Sequence, residues 1–544
     1  MIDEIVSIAA RDGTTLAARV YRPDGAGPYP ALIAASPYRF DNNKLPASPQ
    51  FLWRETGPIE WYVEQGYAYV NMDLRGCGRS GGEFEFLGKN EQTDLYDMVE
   101  WIGAQAWCTG KVGGIGQSYF CMVQWFMGAL APPSLACLAA HDGLADVYRA
   151  STHHGGIPCD FFPGYWWFQN RIINRTPAEG PSREQTTDLA GLCAAHPTFD
   201  DFWRERSAWE GLSKIKVPLY SSGAWGKIQL HTRGNIDGYL RAQGPKKLHM
   251  SGVPNAWAAA REYSSIDFHQ KTMLPFYDHY LKGKQTDYTA RPNVEYDVRN
   301  SGIVRSAETW PPPGVEYTRW YLNDAKTGSV TSLNDGGLAP AKPTGGAATS
   351  YDYPNPGWLV GVAGFGPNGP AGGFDPVRRV LTFTSAPLAQ GMEITGPIKL
   401  TLYASSSARD TDFFIKLMDQ SPQSPEDRGK GLNPSADVIT RGWLRASHRA
   451  LDPDRSTEMV PYHTHTDPQP LTPGEITKFE ISLEPMAYLI QAGHRLRLEI
   501  VNGDSPISEG LWGHYYTPNK IGRDTIYHDA AHPSELILPV MPGR

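Results

Sequence analysis

The chain has 544 residues, with 50 basic and 58 acidic side chains and a formal net charge of −8. This length exceeds one ordinary hydrophobic core and predicts two to four domains, while the acidic balance without a dense Lys/Arg block argues against nucleic acid as a partner. Because no basic and then apolar leader opens the sequence, and no run reaches the roughly 20 apolar residues of a membrane helix, we expect a cytoplasmic protein with no membrane partner.

The first 143 residues alternate apolar β-type runs with helix-like runs. Runs such as "YPALIAASPY" and "YAYVNMDLR" are typical of strands, and "NEQTDLYDMVEWIGAQ" is typical of a helix. This alternation predicts a mostly parallel sheet covered by helices on both faces. The six cysteines lack paired spacing, so we expect reduced, packed thiols and no disulfide framework.

Residues 144–213 are rich in aromatic and arginine residues in helix-like runs, and we interpret them as an inserted helical cap. The alternation of strands and helices resumes over 214–310, so the α/β core is assigned to 1–143 and 214–310. From 311 to 544, many short β-type runs are separated by Pro, Gly and Asp turns. That spacing is typical of an all-β jelly-roll sandwich, which we predict as the C-terminal domain.

The run "DLRGCGRSGG" contains Gly-X-Gly-X-X-Gly at 76–81 after a predicted strand, which formally matches a dinucleotide-binding fingerprint. The fingerprint needs its last glycine to open a helix, because the pyrophosphate lies at that helix N-terminus. Here the next helix-like run begins too late. We therefore interpret the run as a structural loop held by Asp73, Arg75 and Ser80, and we expect no cofactor.

Ser118 lies in "GGIGQSYF", between a strand-like run and a helix-like run. A serine in such a tight turn is typical of a nucleophile elbow, whose usual pattern is Gly-X-Ser-X-Gly. The second glycine is absent because Phe120 stands there, although Gly113 and Gly114 upstream allow the strand to come close. The local pattern fits a nucleophile and also an ordinary helix-capping serine.

The sequence resembles the cocaine esterase and X-prolyl dipeptidyl aminopeptidase family of serine hydrolases in an ordered set of runs: "SPYRF", "DLRGCGRSGGEF", "WIGAQAWCTGKVGGIGQSYF", "YDHYLKG", "GWLRASHRALDPDRS", "AGHRLRLEI" and "TIYHDAAHPSELILPV". The resemblance spans nearly the whole chain and implies an α/β-hydrolase core with a cap and a jelly roll. In this family the elbow is commonly Gly-X-Ser-Tyr, which Gly116 to Tyr119 match. The resemblance therefore implies that Ser118 is the nucleophile.

The resemblance also implies an oxyanion hole. Tyr38 of "SPY" matches a family tyrosine that donates its hydroxyl, and the N–H of Tyr119 is the second donor. Each such donor lowers the barrier by about 3 kcal/mol where it is preorganised. The other two triad positions do not match, since Gly226 stands where the family has its aspartate and Ala256 where it has its histidine. The acid and the base have either moved or been lost.

Triads are defined by geometry, so an acid or a base can come from another position in the chain. Asp142 follows the strand after the nucleophile helix, beside the usual acid loop, and is our candidate acid. His269 is the first histidine after the loop where the family keeps its base, and we expect it within hydrogen-bond reach of Ser118 Oγ. His231 and the pair His153–His154 are the alternatives, as is the absence of any catalytic histidine.

The remaining histidine motifs and the aromatic residues of the cap have simpler interpretations. The motifs "HTH" at 463–465 and "HDAAH" at 528–532 lack a paired cysteine or a carboxylate cluster, so we expect structural histidines and no metal. At least half of the cap aromatics should be core residues, and the others can line an apolar acyl pocket. They are Phe161, Phe162, Tyr165, Trp166, Trp167 and Phe168.

We expect a cofactor-free serine hydrolase that cleaves an ester or amide of a small acyl substrate through an acyl-enzyme on Ser118. An assembly of identical chains is left open. The alternative is a hydrolase-fold protein with a degenerate triad that binds a ligand or performs non-hydrolytic chemistry. A carbohydrate-binding protein built around the jelly roll is a third interpretation, but it leaves the elbow unused.

Overall fold

The computed structural model describes residues 1–45, 54–159, 161–177, 183–329, 332–353, 380–430, 434–504, 513–514 and 520–542. Within these ranges, no helix combines the length and the apolar character needed to cross a bilayer. All six cysteines carry free thiols, and five of them are buried, as expected of packed thiols.

Twelve strands lie in the described chain before residue 310: β1 (Ile2–Ala9), β2 (Thr15–Arg22), β3 (Tyr29–Ser36), β4 (Ala68–Asp73), β5 (Cys108–Gly114), β6 (Leu135–His141), β7 (His153–His154), β8 (Ile157–Pro158), β9 (Leu219–Ala224), β10 (Lys246–Ser251), β11 (Val294–Val298) and β12 (Ile303–Ala307). Ten of them form one sheet in the order β1-β2-β4-β3-β5-β6-β9-β10-β11-β12. Within this order, the seven neighbouring strands β4-β3-β5-β6-β9-β10-β11 are parallel. Strands β1 and β2 at one edge and β12 at the other edge pair in antiparallel fashion. The predicted mostly parallel sheet is confirmed.

The helices in the same part of the chain are α1 (Ile59–Glu64), α2 (Lys89–Gly103), α3 (Tyr119–Leu130), α4 (Phe161–Arg175), α5 (Leu189–Ala195), α6 (Asp201–Arg206), α7 (Thr232–Arg241), α8 (Ala256–Tyr263), α9 (Ile266–Phe268) and α10 (Leu274–Lys282). The central strands β3 and β4 are buried along nearly their whole length, which explains their continuous apolar runs. Helix α10 ends at Gly283, which adopts the left-handed conformation of a C-terminal cap.

Helices α4, α5 and α6 come from the segment between β6 and β9, where the sequence predicted a cap. Helix α4 is fastened to the end of β3, because Asn174 Nδ2 donates to Pro37 O at 3.0 Å and Trp166 Nε1 donates to the Tyr38 hydroxyl at 3.0 Å. The side chains of Phe161 and Phe162 lie outside the described structure. The cap therefore covers the end of the parallel sheet where its strands finish.

The C-terminal part contains β13 (Glu316–Asn323), β14 (Gly336–Ala339), β15 (Ala348–Tyr353), β16 (Leu381–Thr384), β17 (Met392–Ser406), β18 (Asp412–Gln420), α11 (Pro425–Gly429), β19 (Ala436–Arg445), β20 (Thr477–Ile490), β21 (Arg495–Val501), β22 (Gly522–Tyr527) and β23 (Glu535–Met541). Because β23 pairs with both β13 and β17, the sheet closes into a β-barrel. The all-β domain is confirmed, whereas jelly-roll connectivity and the domain boundaries stay predictions.

The glycine-rich run at 76–81 is a structural loop, as predicted. The Asp73 carboxylate accepts hydrogen bonds from the backbone N–H groups of Phe40 at 2.7 Å and Arg79 at 2.8 Å. The Ser80 hydroxyl donates to the backbone oxygen of Asp73 at 2.6 Å. The short side chains of Asp73 and Ser80 thus hold the loop against the end of β4.

The same loop is fixed by a buried ion pair, which gives a stability prediction. Arg75 makes two 2.7 Å hydrogen bonds with Asp94, whose side chain is 0% exposed. Among the described residues, Asp94→Ala would leave Arg75 the half-exposed Asp12 as its ion-pair partner. We expect Asp94→Ala to lower the free energy of unfolding by about 3 kcal/mol. The control Asp97→Ala breaks a pair with exposed Arg11 and should cost about 0 to 1 kcal/mol. Urea unfolding measures both values, and equal losses would contradict the prediction.

Candidate active site

Ser118 occupies a sharp turn between β5 and α3. Its φ of 62° and ψ of −119° lie in a region that residues other than glycine rarely adopt. Gly116 makes the turn possible, because its φ is +123° and a Cβ there would lie 2.2 Å from the Cβ of Phe120. The Ser118 N–H donates to the backbone oxygen of Asp142 at 2.9 Å, which fastens the turn to the end of β6. This strained strand-to-helix turn has the geometry of a nucleophile elbow.

His231 lies beside this serine, with its Nε2 3.1 Å from Ser118 Oγ. It directly precedes α7 in the connection that follows β9, and it is buried. Its Nδ1 accepts a hydrogen bond from the backbone N–H of Leu144 at 3.2 Å, so a neutral imidazole carries its proton on Nε2. Burial, followed by the charge of Lys227, lowers the pKa of His231 well below its ordinary value. The resting histidine is therefore neutral.

His269, which we expected at Ser118 Oγ, does not take that place. Its Nδ1 is 2.8 Å from the Tyr62 hydroxyl and its Nε2 is 2.6 Å from the backbone oxygen of Tyr263. The ring fills the space beside Gly57, where an added Cβ would lie only 2.6 Å from it. The intervening residues form α8 and α9, which carry His269 away from the loop after β10. The structure gives this histidine a packing role.

The alternative pair His153–His154 also lies elsewhere. The His153 ring stacks on Tyr148 at a centroid distance of 4.4 Å, and its Nδ1 is 3.0 Å from the Thr152 hydroxyl. His154 Nδ1 is 2.9 Å from Nε2 of His514, a residue from the C-terminal part of the chain. Of the histidines considered from the sequence, His231 is the one that the structure brings to Ser118.

Asp142, our candidate acid, lies near the site but does not hydrogen-bond to the imidazole. Its Oδ1 accepts from the Ala224 N–H at 2.8 Å and its Oδ2 accepts from Gln117 Nε2 at 2.9 Å, with Lys227 Nζ 3.5 Å away. Burial raises its pKa, but the charge of Lys227 and the other neighbours outweigh burial and hold the pKa below the ordinary value. The ionised carboxylate raises the pKa of His231 through its charge, without orienting the ring.

Glu55 is a site residue that the sequence analysis missed. Its side chain is 6% exposed, and its backbone oxygen accepts a hydrogen bond from the N–H of Gln117, the residue before Ser118, at 2.9 Å. Burial raises its pKa to about 7, with Lys227 and Ser118 opposing that shift. The run "RETGPIEW" contains no motif that would identify Glu55 as a site residue, because a local pattern does not predict proximity to a serine far along the chain.

The two predicted oxyanion donors lie at Ser118. The Tyr38 hydroxyl accepts a hydrogen bond from Trp166 Nε1 at 3.0 Å, and Tyr38 lines the same pocket as Ser118. Since the indole N–H is the donor, Tyr38 keeps its own proton for donation on the serine side. Tyr119 is the first residue of α3, so its N–H has no acceptor within that helix. Both residues lie beside Ser118, and their role as oxyanion donors stays a prediction.

A narrow cavity opens in front of Ser118, between the nucleophile turn and the cap. Its walls are mostly aliphatic and aromatic, and none of its lining residues in the described structure is Asp, Glu, Lys or Arg. Its lining residues are Tyr38, Phe86, Ser118, Tyr119, Met122, Leu144, Val147, Ser151, Pro163, Trp166, Leu189, Leu230 and His231. Of the cap aromatics, Trp166 lines this pocket and stacks on Tyr119 at 5.8 Å.

A strained serine at a strand-to-helix turn, at the end of a parallel sheet and beside a histidine, defines the class of α/β hydrolases. Comparison with protein families agrees with that class. A model described as X-Pro dipeptidyl-peptidase (S15 family) matches residues 12–253, and a model of the X-Pro dipeptidyl-peptidase C-terminal non-catalytic domain matches residues 286–537. The chain belongs to the cocaine esterase and X-Pro dipeptidyl-peptidase family of hydrolases.

Individual relatives match along almost the whole chain. Cocaine esterase from Rhodococcus sp. (strain MB1 Bresler) is 26% identical and aligns with 98% of this chain and 98% of its own. The crystal structure of a CocE/NonD family hydrolase from Staphylococcus aureus has a TM-score of 0.82 at 26% identity, covering 99% of this chain and 94% of that one. An α-amino acid ester hydrolase shares the fold, with a TM-score of 0.73 at 20% identity over 99% of this chain and 96% of its own.

The buried carboxyl of Glu55 gives a prediction for stability against pH. Since its folded pKa of about 7 exceeds the ordinary value of 4.5, the folded state binds more protons than the unfolded state between these pH values. The stability contribution of Glu55 is thus present in acid and lost as the pH rises through 7. We expect Glu55→Gln to be more stable than the parent protein at pH 8 by about 1 to 3 kcal/mol, and closer to it at pH 5.

Urea unfolding at the two pH values measures this difference. Glu60→Gln is the matched control, because Glu60 is exposed on the adjacent helix, and its difference should not vary with pH. A Glu55→Gln difference that is equal at pH 5 and pH 8 would show that Glu55 ionises in the folded protein as it does in water.

Proposed function

We propose that the protein hydrolyses neutral esters with a compact apolar acyl group through an acyl-enzyme on Ser118. The observation that carries the proposal is the 3.1 Å distance from His231 Nε2 to the hydroxyl of an elbow serine that lines the same pocket as Tyr38. Membership of a family of hydrolases supports this reaction class. The uncharged lining of the pocket favours an ester over a substrate with a free amine, which requires an acidic partner.

In this proposal His231 accepts the serine proton. His231 lines the pocket and can therefore return the proton to a leaving group, whereas Glu55 is not among the lining residues. In the resting tautomer the proton is on Nε2, which then has no lone pair for the serine proton. The Leu144 N–H must therefore release Nδ1, and the ring proton must move from Nε2 to Nδ1, before Nε2 can accept the serine proton and form the imidazolium. The lost hydrogen bond costs about 0.5 to 1.5 kcal/mol. A positioned base raises the rate roughly 10²-fold to 10⁴-fold, equal to about 3 to 5 kcal/mol. This gain exceeds the cost of the lost hydrogen bond.

The reaction then follows the usual order for acyl transfer. Ser118 Oγ forms a bond to the ester carbonyl carbon as its proton moves to His231 Nε2, and the carbonyl oxygen becomes an oxyanion held by the Tyr38 hydroxyl and the Tyr119 N–H. When the bond to the leaving oxygen breaks, His231 gives that oxygen the proton and the alcohol departs. Water repeats the sequence with the same base and releases the acid. The charge of Asp142 favours the imidazolium in both halves and offsets part of the opposing effects of burial and Lys227.

The surroundings of Gly226 and Ala256 support a relocated base. A Cβ at Gly226 would lie 2.5 Å from the Asn255 backbone nitrogen and 2.7 Å from the Val253 backbone oxygen. The Asn255 side chain caps α8, which begins at Ala256. The loop thus fills the space that an aspartate at position 226 would need, and we infer that His231 and Asp142 have taken over the functions of the two family positions.

Loss of hydrolysis is the second candidate, and the hydrogen bond from Leu144 to His231 Nδ1 favours it. That contact holds the imidazole in the tautomer whose Nε2 donates to Ser118 Oγ, so this nitrogen has no lone pair for the serine proton. A protein held in this state would bind an ester without cleaving it.

A fluorophosphonate probe and a small aryl ester separate the two candidates. We expect the probe to label the parent protein and not Ser118→Ala, and His231→Gln to lower kcat/KM by roughly 10² to 10⁴. His269→Gln is the matched control, because its ring is equally buried but contacts Tyr62 and Tyr263 instead, and it should keep near-parental activity. An unlabelled parent protein, or labelling that survives Ser118→Ala, would leave the non-hydrolytic candidate.

The oxyanion hole is tested by removing one hydroxyl. We expect Tyr38→Phe to lower kcat by about 100-fold to 1,000-fold with little change in KM, because the hydroxyl acts on the charge that develops in the transition state. Tyr69→Phe is the control, since that buried hydroxyl donates to the Thr56 backbone oxygen. An unchanged kcat in Tyr38→Phe would show that the Tyr38 hydroxyl does not reach the reacting oxygen.

A further inference from the structure

Three buried side chains with metal-binding atoms converge between the entrance to the cap and the β-barrel. His154 lies in β7, Cys159 directly follows β8, and His514 comes from the C-terminal part of the chain. One ligand atom from each lies within 4.8 Å of the other two. The closest approach is 2.9 Å, between His154 Nδ1 and His514 Nε2. This His-Cys-His cluster is separate from the Ser118 pocket.

The outer nitrogens of both imidazoles face groups that accept hydrogen bonds. His514 Nδ1 is 2.9 Å from the Asp504 carboxylate, and His154 Nε2 is 2.8 Å from the Gln229 backbone oxygen. The other oxygen of Asp504 lies 3.9 Å from the Arg441 guanidinium. Since a carboxylate and a carbonyl can only accept, both outer nitrogens carry protons.

This proton count leaves two lone pairs directed at each other. With their outer nitrogens protonated, neutral rings present unprotonated Nδ1 of His154 and Nε2 of His514 across 2.9 Å. Such a contact is repulsive unless a cation lies between the nitrogens. A shared proton would put a positive charge in a site where all three side chains are at most 3% exposed, with the Asp504 carboxylate 2.9 Å from His514 to balance it. A metal ion would meet the same lone pairs and use the adjacent thiol as well.

We propose that His154 Nδ1, His514 Nε2 and Cys159 Sγ bind a zinc ion. Two imidazoles and a thiolate form a donor set that Zn²⁺ accepts in tetrahedral geometry, with one position left open. Ligating histidines usually donate their other ring N–H to a carboxylate or a backbone carbonyl, as Asp504 and Gln229 provide here. Tetrahedral coordination needs ligand atoms about 3.3 to 3.7 Å apart. The separations in the cluster, from 2.9 Å to at most 4.8 Å, bracket that requirement.

The protonation states of the ligands agree with this site. The His154 ring is buried and its Nε2 faces the Gln229 backbone oxygen, so a neutral ring presents an unprotonated Nδ1 to a metal. Cys159 would bind as a thiolate, so zinc binding displaces the thiol proton to solvent together with any proton shared by the rings. Metal affinity should therefore rise with pH and level off once the Cys159 thiol has already lost its proton in the metal-free protein.

The proposed ion would connect three parts of the chain. The hairpin of β7 and β8 lies on barrel strand β19, where the Arg445 N–H donates to the Gly155 backbone oxygen at 2.9 Å. His514 belongs to the C-terminal part, and Gln229 lies two residues before His231. The ion would thus join the cap entrance, the barrel side and the segment that leads to His231. Its binding does not depend on the chemistry proposed for Ser118.

Cobalt substitution tests the site in the full-length protein. We expect the chelator-stripped chain to bind one equivalent of Co²⁺ with a sulfur-to-cobalt charge-transfer band, and Cys159→Ser to lose that band. Cys193→Ser is the matched control, because this thiol lies in α5 outside the cluster, and it should keep the band. Asp504→Asn should weaken Zn²⁺ affinity by about 10-fold to 100-fold, as expected when the partner of a ligating histidine is changed.

X-ray absorption at the zinc edge of the parent protein gives a result that does not depend on any variant folding. We expect one sulfur and at least two nitrogen neighbours around the ion. Failure of the parent protein to bind Co²⁺ or Zn²⁺, a charge-transfer band that survives Cys159→Ser, or a zinc shell without sulfur would each overturn the proposal.

Discussion

The strained backbone at Ser118 is the constraint on which the rest of the site depends. A non-glycine residue at φ 62° and ψ −119° costs of order 1 to 3 kcal/mol and persists only where its surroundings hold it. Here the Ser118 N–H is tied to the end of β6, and the Gln117 N–H is tied to the Glu55 backbone oxygen. These two hydrogen bonds draw β6 and the segment before α1 together around the serine. The cap and the residues directly before α7 contribute further walls of the Ser118 pocket.

Three buried ionisable side chains near Ser118 impose a second constraint on the site. Asp142, Lys227 and Glu55 are all buried, and the charge of Lys227 lowers the pKa of both carboxyls, whereas the charge of Asp142 raises the pKa of Glu55. Lys227 keeps Asp142 ionised but does not prevent burial from raising the pKa of Glu55 to about 7. Two carboxylates close together thus differ in their ionisation because one lies nearer its compensating charge and accepts more hydrogen bonds. Such a separation of carboxyl pKa values is common where a site needs both a fixed charge and a titrating group.

In the function that we propose, the site keeps the family's nucleophile position, and its imidazole comes from another position in the chain. The ring approaches Ser118 from the residue before α7, and the tight contact of Gly226 with Val253 and Asn255 leaves no room for a side chain on the preceding turn. Because Asp142 is engaged by the Ala224 N–H, Gln117 and Lys227, it influences the imidazole by charge alone. Orientation of the ring depends instead on the backbone of Leu144. This arrangement is weaker than a carboxylate-held imidazole, which makes the protonation state of His231 decisive for the chemistry.

The sequence by itself determined the parallel sheet, the helices around it, the all-β C-terminal part and the serine turn, because each depends on short-range periodicity or on the backbone freedom of nearby glycines. The family resemblance also indicated Tyr38, which matches a tyrosine in a short motif at a strand end. Only the tertiary structure decided which histidine meets Ser118, because α8 and α9 turn the chain away before His269 and α7 brings His231 back. Glu55 and the pairing of His154 with His514 were equally out of reach. Their partners lie far along the chain, and contacts at such separation follow from packing of whole elements, which no local pattern encodes.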